Sequence, residues 1–315
     1  MMYFVPSWYH ENEYKENEQY WYRTRTVTEF DDSVKQVQMF NRNNIMDYKI
    51  LNLSYCPNFR HFLHRQSVFH APYWSCFDAI QEIKRTKVDI LSYRDLMWPD
   101  HTEFVYTPFC IVAYVHNEKY AEIHFGEDGN MIEVFLFQSE IMVRKNVYDD
   151  RGFLSTTIVY DNNQPIYEQY LDGKGNWKLF HFFEDDHIEI NSENPYYLIG
   201  NKRFAFDSLN YDSMESLIEE VFSTYLDEMT DSTDIFCLAM HTLHHDLLES
   251  LFTQRKTILS FYQNRMELFE DAELKSLIRS TNYCIVDSKH KIRPLEKYAG
   301  KTLPIVDLSL IHISE

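Results

Sequence analysis

Glycine is scarce in this chain, and its distribution constrains the fold more than any other feature. Five of the seven glycines lie in polar clusters between runs of β-branched and aromatic residues: Gly126, Gly129, Gly152, Gly173 and Gly175. Short runs joined by such tight turns pair with their neighbours in sequence, so residues 104–191 are predicted to form an antiparallel meander. Apolar and polar residues alternate in the runs 120–125 and 187–191. One face of the sheet is therefore expected to be wet.

The first 95 residues show the pattern of an α/β fold, in which the apolar period alternates between two and 3.6. Strands are predicted at 3–5, 49–55 and 88–93, and helical spacing at 34–40, 59–69 and 76–83. An unusually long polar loop follows the first strand. It lies at the carboxyl edge of the predicted parallel sheet, where open α/β folds bind ligands. This loop is therefore a candidate binding region.

The α/β pattern returns after the meander. Residues 212–215 resemble an N-terminal capping box and open an amphipathic helix over 214–229. Strand-like runs at 234–240, 257–262 and 283–287 then alternate with helical patterns. We interpret these runs as the start of a second parallel sheet.

These patterns predict an α/β protein of three parts. The parts are a first Rossmann-like half, an inserted antiparallel β-sheet domain, and a linker helix with the start of a second Rossmann-like half, at 1–103, 104–206 and 207–315. Few strands remain for the second half. We therefore expect this half to be truncated and the natural chain to be longer.

The charge and the cysteines limit the classes of partner and compartment. A formal charge of −19 repels the phosphates of nucleic acids over most of the surface, so no nucleic-acid partner is predicted. Five scattered cysteines without a Cys-x-x-Cys pair are typical of buried thiols in an intracellular protein. No run approaches the ~18 apolar residues of a membrane span, and no signal peptide is evident. A cytoplasmic protein is expected.

Nucleotide chemistry is disfavoured by the same shortage of glycine. Rossmann-type dinucleotide sites and P-loops need glycine where backbone N–H groups approach phosphates. The first glycine of the chain is Gly126, so the first α/β part has no Gly-rich turn. No nucleophile and base form a convincing pair either. No catalytic residue, no metal and no cofactor is predicted.

The long first loop carries aromatic side chains beside a cation. These candidates for binding a partner or a glycan are Trp8, Tyr9, Trp21, Tyr22 and Arg23. Amphipathic rings of this kind suit stacking on a sugar or anchoring a protein. They equally suit holding a long loop against its own sheet. Both interpretations stay open.

The densest titratable cluster consists of His241, His244 and His245. On a helix, His241 and either of the others would share a face and could hold a metal, but no further group completes a ligand set. We favour a polar helix N-terminus after the strand that ends near residue 240. A contact to a sugar hydroxyl is the minor option.

The meander offers aromatic candidates for partner binding, namely Tyr160, Tyr167 and Tyr170. A sheet with free edges and one wet face provides both main-chain pairing and aromatic anchors. Some of these rings must belong to the core. We expect at least one of the three to lie at an interface.

Several motifs resemble a known family. FVPSWY, WYR, FDDS, FLHRQ and YWS resemble the first of the accessory Sec system proteins of Gram-positive cocci and lactobacilli, and they lie at 4–9, 21–23, 30–33, 62–66 and 73–75. The run DDRGFLS at 149–155 resembles the sheet insertion of the glycosyltransferases encoded beside that protein. The resemblance covers nearly the whole chain.

The resemblance implies a glycosyltransferase-B-like fold of two Rossmann-like halves, with an extended β-sheet domain inserted in the first. It implies a catalytically silent component that works in a complex with the other accessory Sec proteins. That complex would assist the accessory Sec motor ATPase in exporting serine-rich-repeat glycoprotein adhesins, as a peripheral assembly at the inner face of the cell membrane. The alternative is an active glycosyltransferase that modifies a Ser/Thr-rich acceptor.

Overall fold

A parallel sheet and an antiparallel sheet organise the chain. The computed structural model describes residues 1–9, 13–15, 33–45, 47–84, 87–126, 128–262 and 274–307. In chain order the strands are β1 Met2–Val5, β2 Tyr48–Asn52, β3 Tyr73–Ser75, β4 Glu103–Tyr106, β5 Ile111–Val115, β6 Glu118–Phe125, β7 Met131–Gln138, β8 Ile141–Asp149, β9 Phe153–Asp161, β10 Gln164–Leu171, β11 Trp177–Phe182, β12 Ile188–Ile190, β13 Tyr196–Ile199, β14 Lys202–Ala205, β15 Asn210–Tyr211, β16 Ile235–Ala239, β17 Lys256–Phe261, β18 Tyr283–Val286 and β19 Ile305–Asp307. The helices are α1 Ser33–Arg42, α2 Phe59–Arg65, α3 Cys76–Ile80, α4 Met214–Met229, α5 His245–Phe252, α6 Leu274–Ser280 and α7 Ile292–Ala299.

Within the described residues, the parallel sheet has seven strands in the order β19-β18-β17-β16-β1-β2-β3. The interpretation of a second sheet after residue 207 is therefore wrong. β16 pairs with β1, from Met2 opposite Ile235 to Val5 opposite Leu238. The apolar period identifies these runs as strands, but it carries no information on which distant strand lies beside which. The division of the chain into three domains stays a prediction.

The antiparallel sheet confirms the predicted meander. In the part of the chain that the structure describes, it has ten strands in the order β15-β12-β11-β10-β9-β8-β7-β6-β5-β4, so nearly all neighbours in the sheet are neighbours in sequence. The ladder of β5 and β6 contains a β-bulge, a shift in register between Ala113 and Tyr114. β8 was not predicted because Arg144, Lys145 and Asn146 interrupt its apolar pattern. The predicted strand at 88–93 is wrong, because residues 88–92 are irregular and Tyr93–Asp95 forms a 3-10 turn.

Helix α4 connects the two sheets and forms as predicted over Met214–Met229. The side chain of Ser213 caps its first turn by accepting a hydrogen bond from the Ser216 amide. Its apolar face is buried in a core shared by the parallel sheet and the inner face of the meander. Trp74 of β3 stacks on Tyr225, with ring centroids 4.2 Å apart. Each large side chain buried there contributes about 1.5–3 kcal/mol.

The turn between β8 and β9 fastens the antiparallel sheet to α3. Arg151 donates two hydrogen bonds to the carboxylate of Asp78, at 2.7 and 2.8 Å, and further bonds to Asp149. Burial raises the pKa of Asp149 to about 6, although the charge of Arg151 opposes that shift. Gly152 follows at a φ of +86°, and a Cβ there would lie 1.8 Å from the carbonyl oxygen of Asp89.

We predict that Gly152→Ala destabilises the fold through this close approach. The matched control is Gly175→Ala, because Gly175 has a φ of +88° but no atom within 4 Å of a Cβ. Both changes cost the left-handed backbone strain of about 1–2 kcal/mol. Urea unfolding is expected to show an additional loss of about 2 kcal/mol for Gly152→Ala alone. Equal losses in the two variants would show that the segment around Asp89 moves aside without cost.

Candidate functional site

The strand order of the parallel sheet reverses at β1, which has β2 on one side and β16 on the other. In open α/β folds, ligands bind in the crevice outside the carboxyl ends of the strands at such a reversal. Tyr9 follows β1 and His241 follows β16, so the topology brings both to this edge. Tyr9 and His241 have their ring centroids 5.2 Å apart. We refer to this region as the β1–β16 crevice.

Tyr9 and His244 close the crevice by hydrogen bonding to each other. The Tyr9 hydroxyl lies 2.8 Å from Nδ1 of the fully buried His244. Nε2 of His244 lies 2.7 Å from the carbonyl oxygen of Ala239. Because a carbonyl only accepts, Nε2 carries a proton, and in the neutral imidazole Nδ1 accepts from the hydroxyl. Both nitrogens of this histidine therefore connect the end of β16 to the loop after β1.

The other two histidines of the cluster have local roles. Nδ1 of His241 accepts a hydrogen bond from the Leu243 amide, at 3.1 Å, and so caps the 3-10 turn Thr242–His244. His245 begins α5, and its Nε2 lies 2.7 Å from Oδ1 of Asp246. A helix therefore begins at this cluster, in agreement with the interpretation of a helix N-terminus after residue 240.

The aromatic candidates of the first loop are only partly within the described residues. Trp8 is a core side chain, which corrects its prediction as a binding residue. It is 3% exposed and packs against Phe59 and Phe62, with centroid distances of 6.0 and 4.7 Å. Tyr9 is half-buried at the crevice. Trp21, Tyr22 and Arg23 lie outside the described residues.

Beside the crevice, a cavity of about 260 Å³ separates the loop after β1 from the antiparallel sheet and the start of α4. Its walls include side chains from all three, among them Glu13, Tyr14, Lys15, His181, Phe183 and Glu215. Tyr14 is held by a hydrogen bond from its hydroxyl to the Leu243 carbonyl, at 2.9 Å. The cavity is therefore lined by rings and by charges of both signs.

Lys15, which lines this cavity, forms an ion pair with a buried carboxylate. Nζ of Lys15 lies 2.6 Å from Oε2 of Glu168, a carboxylate that is 1% exposed. Tyr170 donates a further hydrogen bond to the same oxygen, at 3.2 Å. Burial opposes ionisation of Glu168, but the charge and hydrogen bond of Lys15 outweigh it, so the pKa of Glu168 lies below its usual value. No local pattern of the sequence indicates this pair, because its members are 153 residues apart.

The three tyrosines of the meander separate into two classes. Tyr170 is a core residue, 1% exposed, with its ring 5.3 Å from that of Tyr55. This corrects its prediction as a binding candidate. Tyr167 is half-buried and packs edge-on against Phe180 at 5.3 Å. Tyr160 is also half-buried and lines a separate cavity on the antiparallel sheet. That one of these is an interface residue stays a prediction.

The crevice does not provide what a nucleotide phosphate needs. The turn after β1 reads Pro-Ser-Trp-Tyr, without glycine. The indole of Trp8 fills the core beneath it, and the ring of Tyr9 lies against His241 and His244. Bulky side chains thus occupy the turn in which a Rossmann-type site uses glycine to admit a pyrophosphate.

We predict that Lys15→Met destabilises the fold by leaving Glu168 buried without its cation. A loss of about 2–3 kcal/mol is expected, below the 3–5 kcal/mol typical of a fully buried pair because Lys15 is 25% exposed. Lys15→Met/Glu168→Gln should recover most of this loss in urea titrations. The exposed Lys174→Met is the control. Near-identical stability of all four proteins would contradict the prediction.

In Lys15→Met, the contribution of Glu168 to the free energy of unfolding should change with pH in the opposite direction. In the wild type, the pKa of Glu168 is lower in the folded state than in the unfolded state. This difference stabilises the fold at pH values above the unfolded-state pKa, and the stabilisation is lost as the pH falls through the folded-state pKa. Without Lys15, burial raises the folded-state pKa of Glu168 above its unfolded value. The deficit of Lys15→Met relative to the double variant should therefore shrink as pH falls from about 7 toward 5.

None of the helices in the described ranges combines the length and apolar composition that a bilayer crossing requires. Within those same ranges, one group of side chains has the spacing of metal ligands, Cys110, Glu122 and His124 on the antiparallel sheet. The prediction of no metal rests on local spacing in the sequence, which does not indicate this group. Two of its members are in one strand at i and i+2, but the third depends on the pairing register of β5 with β6.

The sequence matches one protein family over nearly its whole length. Residues 1–310 match the family described as Accessory Sec system protein, first of that numbered series. A relative of the same description from Streptococcus gordonii is 30% identical over 303 residues, which are 95% of this chain and 56% of the relative. One from Staphylococcus aureus is 29% identical over 303 residues, 96% of this chain and 57% of the relative. The chain thus spans little more than half the length of these relatives.

Solved structures agree in fold. The Glycosylation Associate Protein (Gap123) complex from Streptococcus agalactiae contains a chain that is 31% identical with a TM-score of 0.87, over 98% of this chain and 60% of that one. The structure of accessory secretory protein 1, 2 and 3 in Streptococcus pneumoniae gives 28% identity and a TM-score of 0.86, over 95% and 60%.

A more distant likeness confirms the glycosyltransferase-B-like fold class. The GtfA/B complex bound to UDP and GlcNAc matches with a TM-score of 0.60 at 11% identity, over 96% of this chain and 61% of that one. At this identity the likeness shows a shared fold alone. Together, the family match over residues 1–310 and the 30% identity to the S. gordonii protein show that the chain belongs to the family of the first accessory Sec system protein.

Proposed function

We propose that this protein is a non-enzymatic component of the accessory Sec system that works in a complex with the other accessory Sec proteins. The observation that carries the proposal is the likeness, at TM-scores of 0.87 and 0.86, to chains solved within complexes of such proteins. A fold shared to this degree presents the same sheets and edges to a partner. The relatives are longer than this chain, which spans 56% and 57% of their length, so the proposal concerns the function of the whole protein.

The closed β1–β16 crevice supports the absence of catalysis. Tyr9, His244 and the Ala239 carbonyl satisfy one another, so none of these groups is positioned as a base toward an open site. The turn after β1 lacks the glycine that a nucleotide phosphate requires. The alternative, an active glycosyltransferase, rests on a fold likeness at 11% identity, and no described residue favours it.

The outer face of β10 and β11 supports a partner contact on the antiparallel sheet. Tyr167, Phe180 and Phe182 lie on this face, half-buried and in mutual ring contact at 5.3 to 6.1 Å. Rigid aromatic rings that keep part of their surface in water are common anchors of protein interfaces. Among the described residues, β4 is the last strand at one edge of this sheet, and it adds exposed apolar side chains, with Tyr106 62% and Val105 48% exposed. An edge strand can accept a further strand through its backbone.

The same proposal names the motor ATPase and the serine-rich-repeat glycoprotein client as further partners of the complex. It locates the protein in the cytoplasm, recruited to the inner face of the membrane through its partners. A net charge of −19 supports recruitment by proteins, since an acidic surface is repelled by anionic lipid head groups.

We predict that the full-length protein does not turn over nucleotide sugars. Free nucleotide released from a panel of UDP-sugars, with and without a Ser/Thr-rich acceptor, should match a protein-free blank. The Tyr9→Phe variant is the control for contaminating activity, because a trace enzyme would be unaffected by that change. Release by the wild type that Tyr9→Phe abolishes would refute the non-enzymatic proposal.

A second prediction tests the partner surface with a core residue as its control. In the full-length protein, Tyr160→Ala/Tyr167→Ala should reduce co-purification with the other accessory Sec proteins, even at salt that screens surface charge, while the melting temperature stays near that of the wild type. Tyr170→Ala should instead cost about 3–5 kcal/mol of stability. A stable double variant that retains its partners would locate the contact elsewhere.

A further inference from the structure

Three potential metal ligands meet on the β5–β6 hairpin of the antiparallel sheet. Ile111 of β5 pairs with Ile123 of β6, so Cys110 lies beside His124 on one face of the ladder. Glu122 precedes His124 by two residues and therefore shares that face. The ligand atoms of Cys110, Glu122 and His124 all lie within 4.8 Å of one another. From this arrangement we propose that the three side chains bind a zinc ion, a site that the proposed function does not involve.

The spacing is close to that of a tetrahedral zinc site. Metal–ligand bonds of ~2.0–2.3 Å place neighbouring ligand atoms about 3.5 Å apart. Oε2 of Glu122 lies 3.4 Å from Nε2 of His124 already. Sγ of Cys110, on the half-buried residue just before β5, lies within 4.8 Å of the other two ligand atoms, so a small rotation of this side chain would complete the spacing. The fourth position is left to water, as in zinc sites with three protein ligands.

Neighbouring residues hold the backbone of Cys110 and the side chains of His124 and Glu122 in place. Oγ1 of Thr107 accepts a hydrogen bond from the Cys110 amide, at 3.0 Å, and donates one to the Cys110 carbonyl, at 2.6 Å. The ring of Phe135 packs edge-on against the imidazole of His124, at 5.1 Å, and the histidine side chain is 11% exposed. Lys119 lies 2.7 Å from Oε1 of Glu122 and leaves Oε2 as the ligating oxygen. Such supporting contacts hold ligands in place around a metal.

The chemistry of the set selects zinc among common divalent ions. Magnesium and calcium prefer ligand sets made only of oxygen, whereas a thiolate with an imidazole and a carboxylate suits zinc. Binding replaces the S–H bond of Cys110 by a Zn–S bond, and the thiol proton passes to the solvent. No electron is transferred.

The experiment titrates the full-length protein, reduced and freed of metal, with ZnCl₂ in two buffers of different ionisation enthalpy. We expect one Zn²⁺ per chain with proton release. Substitution of Co²⁺ for Zn²⁺ should produce the ultraviolet charge-transfer band of a thiolate–cobalt bond. Cys110→Ser should abolish that band, and both Cys110→Ser and His124→Gln should weaken Zn²⁺ binding at least about tenfold, which is about 1.4 kcal/mol.

Two matched variants separate this site from incidental binding. Cys56→Ser removes another half-buried thiol outside the antiparallel sheet and should leave Zn²⁺ binding unchanged. Lys119→Met removes the contact that orients Glu122 and should weaken Zn²⁺ binding while the thiolate–cobalt band remains. Absence of the thiolate band in the wild type, or equal affinity in His124→Gln, overturns the proposal. Folding of each variant is checked by its thermal melt without metal.

Discussion

The pairing of β1 with β16 is the interaction on which the rest of the architecture depends. It joins strands more than 200 residues apart in sequence, and the meander and α4 both lie in the stretch of chain between them. Closing such a loop costs conformational entropy that grows only with the logarithm of its length. The apolar side chains that β1 buries on both faces of the sheet offset this cost. Tyr3, Phe4 and Val5 are 4% exposed or less. The same pairing brings Tyr9 to His244 and so determines that the crevice is closed.

Ion pairs, rather than apolar contacts alone, fix how the meander lies on the α/β core. Lys178, fully buried on β11, lies 2.9 Å from Glu82 after α3. Burial opposes ionisation of Glu82, but Arg203 and Lys178 lower its pKa to about 2. Lys15 with Glu168 repeats this arrangement across the same boundary. Buried pairs add little net stability, but a shifted docking would leave each charge unpaired. They therefore select one relative position of the two sheets.

The sequence predicts what local periodicity determines and misses what distant pairing determines. Glycine turns and a period of two located most strands of the meander, and helical spacing located α4 to the residue. Parity also separates Tyr167 from Tyr170, because odd and even positions of β10 face opposite sides. The alternation of odd and even positions does not indicate which face is the core, and the prediction of Tyr170 as a binding residue is therefore wrong. The neighbour of β1 and the Lys15–Glu168 pair depend on contacts across 150 residues or more, which no local pattern records.

The β-bulge in the β5–β6 hairpin limits how the sequence of this region can vary. Near the turn, Tyr114 pairs with Lys119, but beyond the bulge Ala113 pairs with Ala121. If the pairing of Tyr114 with Lys119 continued along the ladder without the bulge, Cys110 would lie opposite Ile123. Its thiol would then point away from the imidazole of His124. A deletion of one residue in this hairpin would therefore separate the two groups as completely as replacing one of them. Related chains should keep or lose the bulge and the Cys–His pair together.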